Sequence, residues 1–355
     1  MAFKRTFFQF SSAQRRVITM GILLLSIVLV SIIFRELGSI LKPFFIAIFL
    51  CYLMQPGVSY LASKRIPLAF CYLIMVFIFL GIIYLLGILI YANLQNFLDD
   101  FPTYEKRITG FISNILVRLH VIGSAEEFRL RDLSFLKLIP SGSITSFVKD
   151  SLGSFVSLLG NSTVVIFFVL FLIVEAQVFE KRIFEAYGEK RATEIMEVVS
   201  GINSSIRKYI IVKITISFFT AIIATSVMAI FGLKFFVLFG ILTFIFNFIP
   251  YIGSIIATIL PILMALLQFH SPWTALWIGL LLIGTQNIMG SIVEPKITGD
   301  QLDLSPLVVL ISLWFWGWLW GVVGMILSIP IMAALKIIFE HIEATKSTSI
   351  MMSKI

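Results

Sequence analysis

The residues of this chain best suited to chemistry are amides and carboxylates set into apolar surroundings. Thr285-Gln286-Asn287 places adjacent amides inside an otherwise apolar run. Amides in hydrocarbon seek partners. They find them in interhelical hydrogen bonds contributing about 0.6–2 kcal/mol each, or in a hydroxylated, uncharged solute. Asn247 stands one turn before Pro250 and is placed to meet freed backbone groups or the same kind of solute. Glu175, near the inner end of a span, is a proton or cation candidate, because intramembrane carboxylates are functional candidates by default. Its neighbours Glu180 and Lys181 give the blander reading that it reaches the interface. Glu294, Asp300 and Asp303 cluster in one polar loop. They suit a cation or serve as solvated caps, and Asp303-Leu304-Ser305-Pro306 reads as a helix start capped by Asp303. Lys213, one turn inside a span, is expected to snorkel to the interface. The sequence has no phosphate-cradling glycine loop, metal-ligand spacing or Ser–His–acid set, so the expectation is a chain that is no enzyme and needs no cofactor.

The elements that must position these groups are two charge-free apolar stretches, residues 235–269 and 304–335. One membrane crossing takes about 20 apolar residues and two take about 40 plus a turn. Both stretches fall between, and both are broken in the middle. The first breaks at Ile249-Pro250-Tyr251-Ile252-Gly253 and the second at Trp320-Gly321-Val322-Val323-Gly324. Pro250 removes a donor, while Gly253, Gly321 and Gly324 permit tight turns and close approach. Unpaired backbone in lipid costs several kcal/mol per group, so both breaks must face protein or a wet cavity. The stretches also resemble each other. Leu260-Pro261-Ile262-Leu263-Met264-Ala265-Leu266 matches Ile329-Pro330-Ile331-Met332-Ala333-Ala334-Leu335, with Tyr251 opposite Trp320. Paired, interrupted apolar segments point to a carrier's binding site. The run Trp314-Phe315-Trp316-Gly317-Trp318-Leu319-Trp320 reads either as an aromatic wall beside the second break or as lipid anchors.

With 59% hydrophobic and 13% charged residues among 355, the chain cannot cover a soluble surface. Its runs are continuous rather than alternating, which excludes a barrel and predicts an all-α, polytopic helical membrane protein. The net charge of +8 does not indicate nucleic acid, because the basic residues flank spans as positive-inside signals. Expected spans are residues 17–34, which stay as an anchor rather than a cleaved signal, then 39–61, 68–91, 155–179, 209–231 and 273–292. Cys51 and Cys71 lie within spans as packing residues. Residues 1–92 form amino-terminal spans, starting from a cytoplasmic amino terminus. Residues 93–154 are an extracytoplasmic region whose amphipathic helix starts at Asp99-Asp100 and Pro102, serving as a lid or an oligomer contact. Residues 155–208 hold the fourth span and a cytoplasmic amphipathic helix striped with Ile195, Val198, Val199, Ile202 and Ile206. Residues 209–340 are the transport region and 341–355 a polar tail. Loop parity makes the two broken stretches re-entrant hairpins entering from opposite faces, an inverted repeat.

Several motifs together resemble the autoinducer-2 exporter family of bacterial membrane proteins. They are Leu41-Lys42-Pro43-Phe44-Phe45, Asn247-Phe248-Ile249-Pro250-Tyr251-Ile252-Gly253, Glu294-Pro295-Lys296-Ile297-Thr298-Gly299, Leu304-Ser305-Pro306-Leu307, and Gly321-Val322-Val323-Gly324 with Ile329-Pro330. The resemblance implies a homo-oligomeric, multi-pass carrier in the bacterial cytoplasmic membrane that moves small molecules outward, the furanone autoinducer-2 among them. Other members are associated with sodium- or lithium-for-proton exchange. Many members carry a carboxylate where this chain has Met289, which weighs against a cation role for that span. The leading expectation is a secondary exporter of a small polar solute, with Asn247, Pro250, Tyr251, Gly253, Gln286, Asn287, Gly321 and Gly324 along its pathway. A sodium/proton antiporter using Glu175, Glu294 or Asp300, with a proton or sodium as coupling ion, is the second. A non-transporting oligomeric scaffold is the third.

Overall fold

The computed structural model describes residues 12–118, 162–269, 271–298 and 303–354. The described residues form helices and no strands. Five helices among them are long and apolar enough to cross a membrane. With the composition above, this makes the chain an all-α polytopic membrane protein.

Helix α1 (Ser12–Glu36) is followed, after the single residue Leu37, by α2 (Gly38–Ser63). Helix α3 (Leu68–Arg118) then runs unbroken through Asp99, Asp100 and Pro102. At 1.5 Å per residue it is about 77 Å long, well beyond the ~30 Å hydrocarbon core. The expected helix start at Asp99-Asp100 is therefore corrected. Proline in a helix removes one hydrogen bond and costs about 3 kcal/mol, and tertiary contacts offset it here. Tyr104 is buried against Met228, Leu233 and Phe239, and Arg107 donates at 2.8 Å to the carbonyls of Leu267 and Gln268. Asp100 pairs with Lys234 at 2.7 Å, and the hydrogen bond from Lys234 holds the Asp100 carboxyl below its ordinary pKa. The rest of the expected lid, residues 119–154, lies outside the described residues.

Helix α4 (Ser162–Ile230) is bent at Gly188, whose φ of 71° is open to glycine. Gly188 breaks α4 into two helical arms: the fourth span ends there, and the amphipathic segment runs on without interruption into the fifth span. The apolar stripe packs on other helices: Ile206, Tyr209 and Ile210 are buried with Ile329 and flanked by Phe49 and Leu53. The Tyr52 hydroxyl donates to Asn203 at the same junction.

The two broken stretches form helical hairpins. Helices α5 (Phe236–Phe246) and α6 (Ile252–Gln268) make the first. After α7 (Pro272–Asn287), a π-helical turn (Ile288–Val293) and the short α8 (Glu294–Thr298), helices α9 (Pro306–Trp320) and α10 (Val322–Glu340) make the second. The shorter arms, α5 and α9, rise only about 16 and 22 Å. Each turn has one left-handed residue, Tyr251 at φ 58° and Gly321 at φ 68°. The conformational partner of Tyr251 is therefore Gly321, one residue beyond the Trp320 that the repeat alignment pairs with it. Gly253 and Gly324 then let the arms touch. A Cβ on Gly253 would lie 1.7 Å from the Phe246 carbonyl oxygen, and one on Gly324 would lie 1.9 Å from that of Trp316.

The aromatic run splits between two faces. Trp316 and Trp320 are buried with Phe34 and Phe45, and the Trp320 indole donates to the Phe34 carbonyl at 3.2 Å. Trp314 and Trp318 are exposed. The inner face thus anchors the second hairpin to α1 and α2, and the outer face is free to meet lipid.

Residues 341–354 return to the body of the protein. Helix α11 (Lys346–Met352) folds back so that Ser305 N–H donates to the Met352 carbonyl at 2.8 Å and Lys354 N–H to Asp303 at 3.1 Å. Ser305, rather than Asp303, caps α9, accepting from Val308 N–H at 3.3 Å. Asp303 instead takes an ion pair from the buried Lys336 at 2.7 Å. The hydrogen bond from Lys336 holds the Asp303 carboxyl below its ordinary pKa, helped by Ser353 and Lys354. A carboxyl whose pKa falls on folding adds stability above its unfolded value, which disappears as pH falls through the folded one. The protection of the Lys354 amide from exchange, relative to a free amide at the same pH, should therefore be insensitive to acidification until below about pH 4. Asp303→Asn should speed that exchange already at pH 7.

Candidate functional site

A cavity of about 370 Å³ opens where the first hairpin turns. Phe246 ends α5, and Ile249 N–H reaches back to its carbonyl at 2.8 Å. Pro250 cannot donate, and Tyr251 swings the chain into α6. Asn247, Ile249, Pro250, Tyr251 and Ser254 thereby line one wall. Opposite, the end of α7, the π-helical turn and the first residue of α8 present Gln286, Asn287, Gly290, Ser291 and Glu294. In this turn Glu294 N–H bonds to the Met289 carbonyl five residues back, a geometry often found at functional sites. Lys213, Ile216 and Thr220 of α4 form a third side, with Val309 of α9 and Ile329 of α10 closing it.

The amides face the cavity unused. Among the described residues, the side-chain amides of Asn247, Gln286 and Asn287 have no hydrogen-bond partner, so interhelical bonding does not account for them. The hydroxyls differ. Thr220 donates to Ile216 at 2.7 Å and Ser254 to Tyr251 at 2.8 Å, each on its own backbone, leaving their lone pairs for a guest.

The charges are mutually engaged. Lys213 Nζ lies 2.6 Å from Glu294, and these side chains are 10% and 25% exposed. Lys213 therefore does not snorkel: α4 turns it inward, where Glu294 compensates its charge. An isolated ion in such surroundings would cost several kcal/mol, and the pair leaves the cavity without net charge.

The remaining candidates lie elsewhere. Gly253 sits behind the first turn, where it allows the arms to close. Gly321 and Gly324 form the second turn, outside the cavity, which the second hairpin reaches instead through Val309 near the start of α9 and Ile329 in the middle of α10. Glu175 pairs with Arg182 on an exposed stretch of α4. Asp300 lies outside the described residues. No cluster of metal-ligating side chains occurs among the described residues. Sequence reasoning missed the inward face of α4, though Lys213, Ile216 and Thr220 follow helical spacing. It also missed Ser254 and Ser291, each beside a glycine it had noted or passed.

Apolar helices enclosing a polar, charge-compensated cavity beside a broken helix define a membrane transport protein rather than a soluble binding module. The chain belongs to the AI-2E family of transporters, whose model matches residues 22–344. It is 30% identical over 318 residues to a Borreliella burgdorferi protein named "Putative transport protein", covering 89% of this chain and 85% of that one. It is 29% identical over 328 residues to the AI-2 transport protein TqsA of Escherichia coli, covering 90% of this chain and 91% of TqsA.

Proposed function

We propose that this transporter is a secondary carrier in a bacterial cytoplasmic membrane that exports a small, neutral, polar solute. Autoinducer-2 is the first candidate, on the likeness to TqsA. The observation that carries the reading is the cavity's chemistry: three free amides beside an ion pair that already compensates its own charge. Such a site rewards hydroxyl and carbonyl groups and offers a bare ion no unmatched charge. The short arms α5 and α9 support re-entrant hairpins, and their opposed entry would suit alternating access around a midplane site.

The test is flux from proteoliposomes with autoinducer-2 and a panel of polyols. Gln286→Ala with Asn287→Ala should lower solute flux at least about tenfold, the effect of losing a little over 1 kcal/mol of recognition. Unchanged flux in the pair of variants, or none in the parent, would sink the reading.

Glu294 in the cavity favours one alternative, sodium-for-proton exchange. Under it, a sodium-driven pH change in vesicles disappears in Glu294→Gln while the polyols stay put. A scaffold would move neither.

A further inference from the structure

A second large cavity, about 570 Å³, lies between α2, α3 and the start of α4, away from the solute site. Its size is within the roughly 300–1,000 Å³ of small-molecule pockets, yet its chemistry is different. The walls are aliphatic: Leu50 and Met54 of α2, Val76 and Leu80 of α3, Val165 and Val169 of α4. Met54 and Val169 are almost fully buried and close the floor.

Polarity is confined to one end. Ser39 and Lys42 stand there, on the first turns of α2. Pro43 follows directly and has no N–H, so the Ser39 carbonyl loses its helical partner. Lys42 is half-buried and makes no ion pair among the described residues. From Lys42 to Met54 the helix rises about 18 Å, a little more than one leaflet of a ~30 Å hydrocarbon core.

An apolar slot one leaflet deep, with an uncompensated cation at one end, matches an amphiphile. A polar solute would leave its groups unpaired against the walls, and a plain hydrocarbon would leave Lys42 unmatched. We propose that this cavity binds an anionic phospholipid, with one acyl chain along α2 and its phosphate at Lys42. Val323, beside the Gly321 turn, completes the wall. The lipid would thus touch the same hairpin whose Val309 and Ile329 close the solute cavity, so membrane composition gains a route to the transport site.

Native mass spectrometry of the full chain, released from nanodiscs of equal phosphatidylglycerol and phosphatidylcholine, tests this. The parent should retain phosphatidylglycerol roughly fivefold over phosphatidylcholine, the ratio expected for one lysine near an anionic head group. Lys42→Gln should bring the ratio near unity and Lys42→Arg should restore it. Val169→Trp, which fills the slot, should release both lipids; should that variant not fold, the Lys42 pair decides alone. Equal retention of the lipids by the parent, or an unchanged ratio in Lys42→Gln, overturns the proposal. So does oleate displacing phosphatidylglycerol at equal concentration, since the site would then belong to a free fatty acid.

Discussion

Lys213→Met alone should destabilise the protein by about 3 kcal/mol, the low end of the range for stripping one partner from a buried ion pair. The low end applies because Glu294 borders a cavity and is 25% exposed, so water can reach its stranded charge. Glu294→Leu alone should cost a similar amount by stranding Lys213. The double variant should recover most of the loss, because a buried pair replaced by apolar side chains is often neutral or stabilising. Chemical denaturation in detergent, followed by tryptophan fluorescence, gives the cycle. A coupling under about 0.5 kcal/mol would mean the two charges act independently and would remove the pair from the account. The double variant also separates the functional readings. A neutral-solute carrier should keep measurable flux without the pair, whereas a sodium/proton exchanger using Glu294 should lose all exchange.

Gly253→Ala and Gly324→Ala should be the most damaging of the small substitutions. Each new methyl would lie within 2 Å of a backbone carbonyl oxygen, 1.7 Å at Phe246 and 1.9 Å at Trp316. Overpacking usually costs about 1–3 kcal/mol and sometimes more. A backbone neighbour cannot turn aside as a side chain can, so the upper end or beyond is expected here. Gly290→Ala is the matched control. It stands in the π-helical turn with nothing near its missing Cβ, and exchanging glycine for alanine in a helix gains about 0.5–1 kcal/mol. Thermal unfolding of the three variants should therefore give two large decreases and one small rise. Equal, small shifts for all three would show that the hairpin arms do not need their close contact.

The breaks were legible because breaker residues cluster there, Pro250 with Gly253 and Gly321 with Gly324, whereas the lone Pro43, Pro56, Pro261 and Pro330 lie inside helices. The amides were legible because Gln286 and Asn287 stand out against hydrocarbon. The Lys213–Glu294 pair was not, since its members are 81 residues apart and only packing brings them together. Pro102 misled by the same rule that served at Pro250. There, contacts from Tyr104 and Arg107 to distant elements hold the helix together, and a local rule cannot weigh them. Asp303 misled in a similar way: it has the chemistry of a cap, but Lys336 and the returning chain compete for its carboxylate.

The π-helical turn at Ile288–Val293 also bears on how the site tolerates change in chain length. Its i→i+5 bonding winds more residues into a turn than an α-helix does. Losing one residue there would restore ordinary winding and leave what lies beyond nearly in phase, so Glu294 would stay opposite Lys213. The turn thus works as slack in the helix: a change of one residue in length is absorbed within Ile288–Val293, between the amides and the carboxylate.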